Sequence, residues 1–228
     1  MPYSLIIFDL DGTLMDTSEG ILKAIEKTAK TLGLPEISHS EKLSFIGPPL
    51  PASFRKHYGF DDEKLDVAIT TFRRFYSDEF LMQANVYNGI YDVFKYCKKN
   101  HIQTAVATSK QEDYAVKLLK HYHFGDYTDI MFGADAQNTL IKKNIIQKCI
   151  DKVKMPDKSK VLMVGDSVND YVGAIDLGID FVGVNWGFGF KKGDPHNEFP
   201  KALAFIDEAT ELINIISKDE TKNSKLYS

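Results

Sequence analysis

Apolar positions along this chain follow two periods, one suited to strands and one to helices. The nearly continuous apolar run Tyr3-Ser4-Leu5-Ile6-Ile7-Phe8 predicts a buried strand. Residues 18–32 put Ile21, Ile25, Ala29 and Leu32 on one helical face, with Asp16 and Thr17 as candidate N-caps and Gly33 as a stop. Segments 40–45, 52–58 and 62–81 also read as helix, and no strand is expected between residues 16 and 84. Beyond that stretch strand and helix alternate. Helices are expected at 90–99, 112–121, 140–153, 168–177 and 208–217. Strands are expected at 102–107, 130–132, 161–164 and 181–184, with a last short one within 202–206. The polar tail 218–228 is expected to fray.

Such alternation predicts an α/β fold, a Rossmann-like parallel sheet with helices on both faces. The helical stretch interrupts it. We therefore expect an α/β core of residues 1–15 and 85–228 carrying an inserted all-helical domain of residues 16–84. The chain would cross twice at one point, which makes a hinge there.

Composition narrows the classes. The chain has 228 residues, 43% apolar and 26% charged, as in ordinary soluble proteins. Its net charge is −4 with mixed signs and no basic stripe, so no nucleic-acid polymer is expected as a partner. No apolar run approaches the roughly 20 residues of a membrane span. The first strand begins at once, with no stretch resembling a signal peptide. Cys97 and Cys149 sit among apolar neighbours in helical segments and suit free thiols. The expected location is the cytoplasm.

Ligands of an open parallel sheet sit beyond the carboxyl ends of its strands, so chemistry is sought there. After the first strand stand Asp9 and Asp11, two positions apart and followed by Gly12. Like charges forced together need a cation or a shared proton. After the second core strand come Thr108, Ser109 and Lys110. After the strand at 161–164 come Asp166, Ser167, Asn169 and Asp170, and Lys142 and Lys143 open an earlier helix. Carboxylates around one point suit a hard cation such as Mg²⁺, and hydroxyls with a lysine suit the oxygens of a phosphoryl group. One carboxylate can attack phosphorus while another moves a proton. Gly187, Gly189 and Gly193 lack the spacing of a dinucleotide loop and read as a flexible rim. His121 and His123 read as surface. Arg55, Arg73 and Arg74 would either meet a second anion of a substrate or stay solvated.

Asp9-Leu10-Asp11-Gly12-Thr13 resembles the first motif of the haloacid dehalogenase-like superfamily. Thr108 resembles the second, Lys142 the third, and Gly165-Asp166-Ser167-Val168-Asn169-Asp170 the fourth. The helical insertion stands where that family has its type-one cap. Phe45-Ile46-Gly47-Pro48-Pro49-Leu50 and Gly183-Val184-Asn185-Trp186-Gly187 are similar to segments of the phosphoglycolate phosphatase group, which includes 5′-nucleotidases. The resemblance implies a Mg²⁺-dependent phosphatase acting on a small soluble phosphomonoester through an aspartyl-phosphate. It implies Asp9 as nucleophile and metal ligand, and Asp11 as general acid/base with its carbonyl on the metal. Thr108, Ser109 and Lys142 would hold the phosphoryl group, Asp166 would ligate the metal, and Asp170 would support it. Lys143 competes with Lys142, and the family's lysine precedes an apolar pair, here Ile145-Ile146, which favours Lys142. Two other functions share these residues: a sugar phosphomutase, and a phospho-accepting signalling domain. The second fits poorly with paired acids two residues apart and with an insertion of this size.

Overall fold

The computed structural model describes residues 2–136, 139–154 and 157–217. Six strands form one parallel sheet in the order β5-β4-β1-β6-β7-β8. They are β1 (Leu5–Phe8), β4 (Gln103–Gln111), β5 (Met131–Ala134), β6 (Val161–Gly165), β7 (Asp180–Val184) and β8 (Ala204–Ile206). Leu5 pairs with Gln103 on one side and Val161 on the other, so β1 lies in the middle. The chain adds strands outward from β1 in one direction, then crosses back to add the rest in the other. The order reverses at β1, which opens a crevice beyond its carboxyl end.

Both faces of the sheet are buried, which explains why the first strand is apolar without alternation. Ile6 and Phe8 enter a cluster with Phe94 of α5 (Ile90–Lys99), Leu118 of α6 (Glu112–His121) and Leu212 of α9 (Glu211–Ser217). Leu5 and Ile7 enter a second cluster with Ile145 and Ile146 of α7 (Lys142–Val153) and Ala174 of α8 (Val168–Leu177). These assignments match the strand period of two. Cys97 and Cys149 are buried free thiols. The segment 218–228 lies outside the described residues.

Between residues 16 and 85 run α1 (Ser18–Leu32), α2 (His39–Leu43), α3 (Leu50–Tyr58) and α4 (Asp62–Phe75), then a π-helical turn, Tyr76–Phe80. Two details depart from the expectation. The helix expected over 62–81 changes to π geometry at Tyr76, a widening that apolar periodicity does not register. A two-residue strand, β2 (Met15–Asp16), pairs antiparallel with β3 (Asn85–Val86), too short for any period to show. This ribbon joins the two crossings of the chain. The first apolar cluster continues past it, from Phe8 and Leu10 through Phe45, Phe54 and Phe72. Among the described residues no helix is long and apolar enough to cross a membrane.

Candidate active site

Asp9 keeps the phase of Leu5 and Ile7 and therefore faces α7 and α8. Its backbone N–H donates to the Val164 carbonyl at 2.9 Å, continuing the β1–β6 ladder one residue past the strand. The first residue of α7, Lys142, reaches it. Lys142 Nζ lies 2.5 Å from Asp9 Oδ1, 2.8 Å from Asp170 Oδ1 and 3.0 Å from the Ala107 carbonyl oxygen. Lys143, one position further round the helix, instead faces Asp176 at 3.5 Å on the partly exposed side.

Asp166 follows β6, and Asp170 stands in the first turn of α8. Asp170 Oδ2 accepts from the Ser167 backbone N–H at 3.1 Å and from the Ser167 hydroxyl at 2.6 Å, an N-terminal capping box. Asp166 Oδ2 accepts the backbone N–H groups of Phe188 and Gly189 at 2.6 and 3.0 Å. The glycine loop expected to be a flexible rim is thus packed on Asp166. A Cβ on Gly187 would overlap the Asp166 side chain and the Gly12 carbonyl, so close backbone approach explains the glycine. Gly12 has φ +86° and lies against the same carboxylate, where a side chain would be strained and overlap it.

Oxygens of Asp9, Asp166 and Asp170 lie within 4.8 Å of one another, and all three residues are buried. Three acids against one lysine leave an excess of negative charge. Burial, reinforced by Asp170, Asp166 and Asp11, pushes the Asp9 carboxyl well above its ordinary range although Lys142 pulls it down. Burial and Asp170 push Asp166 up to about 6, against the opposing effect of the Phe188 and Gly189 amides. Burial alone would lower the Lys142 ammonium, yet Asp170 and Asp9 raise it on balance. The donor set is all oxygen, buried and over-charged, which fits a divalent hard cation such as Mg²⁺.

Asp11 turns to other partners. Its Oδ1 accepts from the Thr17 hydroxyl at 2.6 Å and lies 3.0 Å from Lys110 Nζ. Thr17, a candidate helix cap, makes no cap bond; its hydroxyl donates to Asp11 instead, while Asp16 accepts from the Ser18 backbone N–H. Thr108, Ser109 and Lys110, expected just after the second core strand, lie inside it, because β4 runs on to Gln111 past an irregularity in its pairing with β5. Thr108 is buried, and its hydroxyl accepts the Lys110 backbone N–H at 3.1 Å. Ser109, Lys110 and Gln111 line a cavity of about 90 Å³ with Asp11, Arg73, Tyr76 and Tyr114. Arg73 donates to the Ala136 carbonyl, whereas Arg55 pairs with Asp62. His121 and His123 are exposed.

The site residues that sequence reading left without a role are Lys110, Thr17 and the amides of Phe188 and Gly189. Lys110 was visible beside Thr108 at a strand end, but only the fold shows that it faces Asp11. Backbone donors leave no trace in side-chain identity.

Known proteins resemble the chain closely. The sequence model of the haloacid dehalogenase-like hydrolase family matches residues 6–184. A 5′-nucleotidase of Pseudomonas aeruginosa is 31% identical over 188 residues, covering 82% of this chain and 85% of its own. Tyrosine-protein kinase PtkA of Mycobacterium tuberculosis is 30% identical over 186 residues, covering 81% of this chain and 63% of its own. A crystal structure of a Clostridium difficile protein assigned as a phosphatase superposes with a TM-score of 0.84 at 31% identity, covering 95% of this chain and 99% of that one.

Proposed function

The chain belongs to the haloacid dehalogenase-like hydrolases and is an enzyme of their phosphatase type; from that premise we propose that it hydrolyses a small phosphomonoester, with Mg²⁺ and through an aspartyl-phosphate on Asp9. The observation that carries this reading is the buried group of Asp9, Asp166, Asp170 and Lys142 at the carboxyl ends of β1 and β6.

Asp9 attacks phosphorus, so a carboxylate–phosphorus bond forms as the ester oxygen–phosphorus bond breaks. Asp11 gives its proton to the departing oxygen, which leaves as an alcohol. Water then attacks the aspartyl-phosphate while Asp11 takes a proton back, releasing phosphate and restoring Asp9. Thr108, Ser109 and Lys142 hold the phosphoryl oxygens, and Lys142 also orients Asp9. Asp9, Asp166, Asp170 and the Asp11 carbonyl would hold Mg²⁺, which offsets the charge of the acids and of the phosphoryl group. Residues 16–84 act as a cap, the ribbon of β2 and β3 as its hinge, and the loop at Gly47 and Pro48 as a wall of the site. Two buried free thiols support a reducing compartment, the cytoplasm.

Relatives of this fold are named both for hydrolysis and for transfer to tyrosine, so the product decides the acceptor. The test is phosphate release from 2-phosphoglycolate, AMP, glucose 6-phosphate, pyrophosphate and pyridoxal phosphate, with Mg²⁺ and with EDTA. We expect metal-dependent release from at least one ester and a loss of about 10³-fold or more in Asp9→Asn, the scale of a deleted nucleophile. Retained turnover in that variant would sink the mechanism, and hexose isomer formation without net phosphate would replace hydrolysis by mutase chemistry.

A further inference from the structure

We infer that Lys110 is a positioning residue for Asp11, fixing one oxygen of that carboxyl group so that the other meets the leaving group. Both donors to Asp11 converge on Oδ1, namely Thr17 Oγ1 at 2.6 Å and Lys110 Nζ at 3.0 Å. No donor among the described residues reaches Oδ2. A carboxyl anchored by one oxygen carries its proton on the other, and Oδ2 is that oxygen.

Lys110 is itself held in place. Its side chain is only 7% exposed, and its Nζ lies 4.9 Å from the ring centre of Tyr76, a cation–π contact. Its backbone N–H is tied to the Thr108 hydroxyl. Burial alone would lower the ammonium, but Asp11 and Tyr76 raise it above its ordinary value on balance. The three groups arranged around Asp11 come from three places. Lys110 comes from β4 of the core, Thr17 lies just past the hinge ribbon, and Tyr76 is the first residue of the π-helical turn in the insertion. The π geometry is where Tyr76 leaves the course of α4, and such single-turn insertions are frequent at functional sites. Opening at the ribbon shifts Thr17 and Tyr76 relative to Lys110. Asp11 is therefore held by both donors only when insertion and core are seated together.

This inference rests on the phosphatase reading, and it has a readout that folding or substrate binding does not share. An acid is needed when the leaving group is an alkoxide and hardly needed when it is p-nitrophenolate. Lys110→Met is compared with the unsubstituted protein on p-nitrophenyl phosphate and on the fastest ester among 2-phosphoglycolate, AMP and glucose 6-phosphate. The expected loss in kcat is about 10- to 100-fold on the alkyl ester and under about threefold on p-nitrophenyl phosphate, the range for a misplaced general acid. KM for the alkyl ester should stay nearly constant, and Lys110→Arg should recover much of the rate. Thr17→Val should show the same selectivity, and the double variant should lose less than the sum, because both groups act on one oxygen. Equal losses on the two esters, or a raised KM with kcat unchanged, would overturn the inference. Failure of the unsubstituted protein to hydrolyse either ester would instead remove the phosphatase reading, and this inference with it.

Discussion

Lys142 and Lys143 are neighbours in sequence in unlike surroundings. Lys142 is buried between Asp9 and Asp170, while Lys143 makes a half-exposed pair with Asp176. Removing one partner of a buried ion pair costs about 3–5 kcal/mol, since the remaining charge is stranded in a poor dielectric. An exposed pair contributes under about 1 kcal/mol. Urea unfolding in EDTA should therefore show a large loss of stability for Lys142→Met and almost none for Lys143→Met. Equal losses would contradict the assignment. The sequence brought the choice down to two residues. It could not finish it, because adjacent helix positions point about 100° apart and only the packed sheet says which direction is inward. Asp9, Asp166 and Asp170 were legible for the opposite reason. Each stands within one turn of a strand end, where chain order alone fixes its place.

Helix α1 and the π-helical turn meet backbone to backbone. Gly20 donates its N–H to the Gln83 carbonyl at 3.1 Å, and a Cβ there would overlap the carbonyl of Phe80. In an isolated helix Gly→Ala gains about 1 kcal/mol. Here overpacking costs about 1–3 kcal/mol, so Gly20→Ala should lower the thermal midpoint rather than raise it. Because the displaced segment carries Tyr76, activity should fall as well, and a more stable, fully active variant would refute this packing. The sequence gives a long helix over 62–81 because residues on both sides of Tyr76 keep an apolar face. A π turn inserts its extra residue without disturbing that face enough to show. The ribbon of β2 and β3 was hidden by its size, since two residues have no period.

At the scale of the molecule, one apolar cluster runs from the sheet through the ribbon into the insertion, from Ile6 and Phe8 to Phe54 and Leu65. Shared burial of this kind couples the two parts. Calorimetry should show a single unfolding transition, raised by Mg²⁺ because a ligand of the native state adds to its stability. Two separated transitions would mean that insertion and core hold together only weakly. Alternation of strand and helix made the parallel sheet legible, but not the order β5-β4-β1-β6-β7-β8. That order depends on which edge each crossover takes, and right-handed crossovers on either side leave the same pattern of apolar residues. The grip of Phe188 and Gly189 on Asp166 has a consequence of its own. Donors that belong to the main chain are specified by the shape of a loop and not by side-chain identity. Any residue except proline that keeps the loop's path at position 188 would preserve this hydrogen bond, so one oxygen of a buried acid stays anchored whatever side chain packs there.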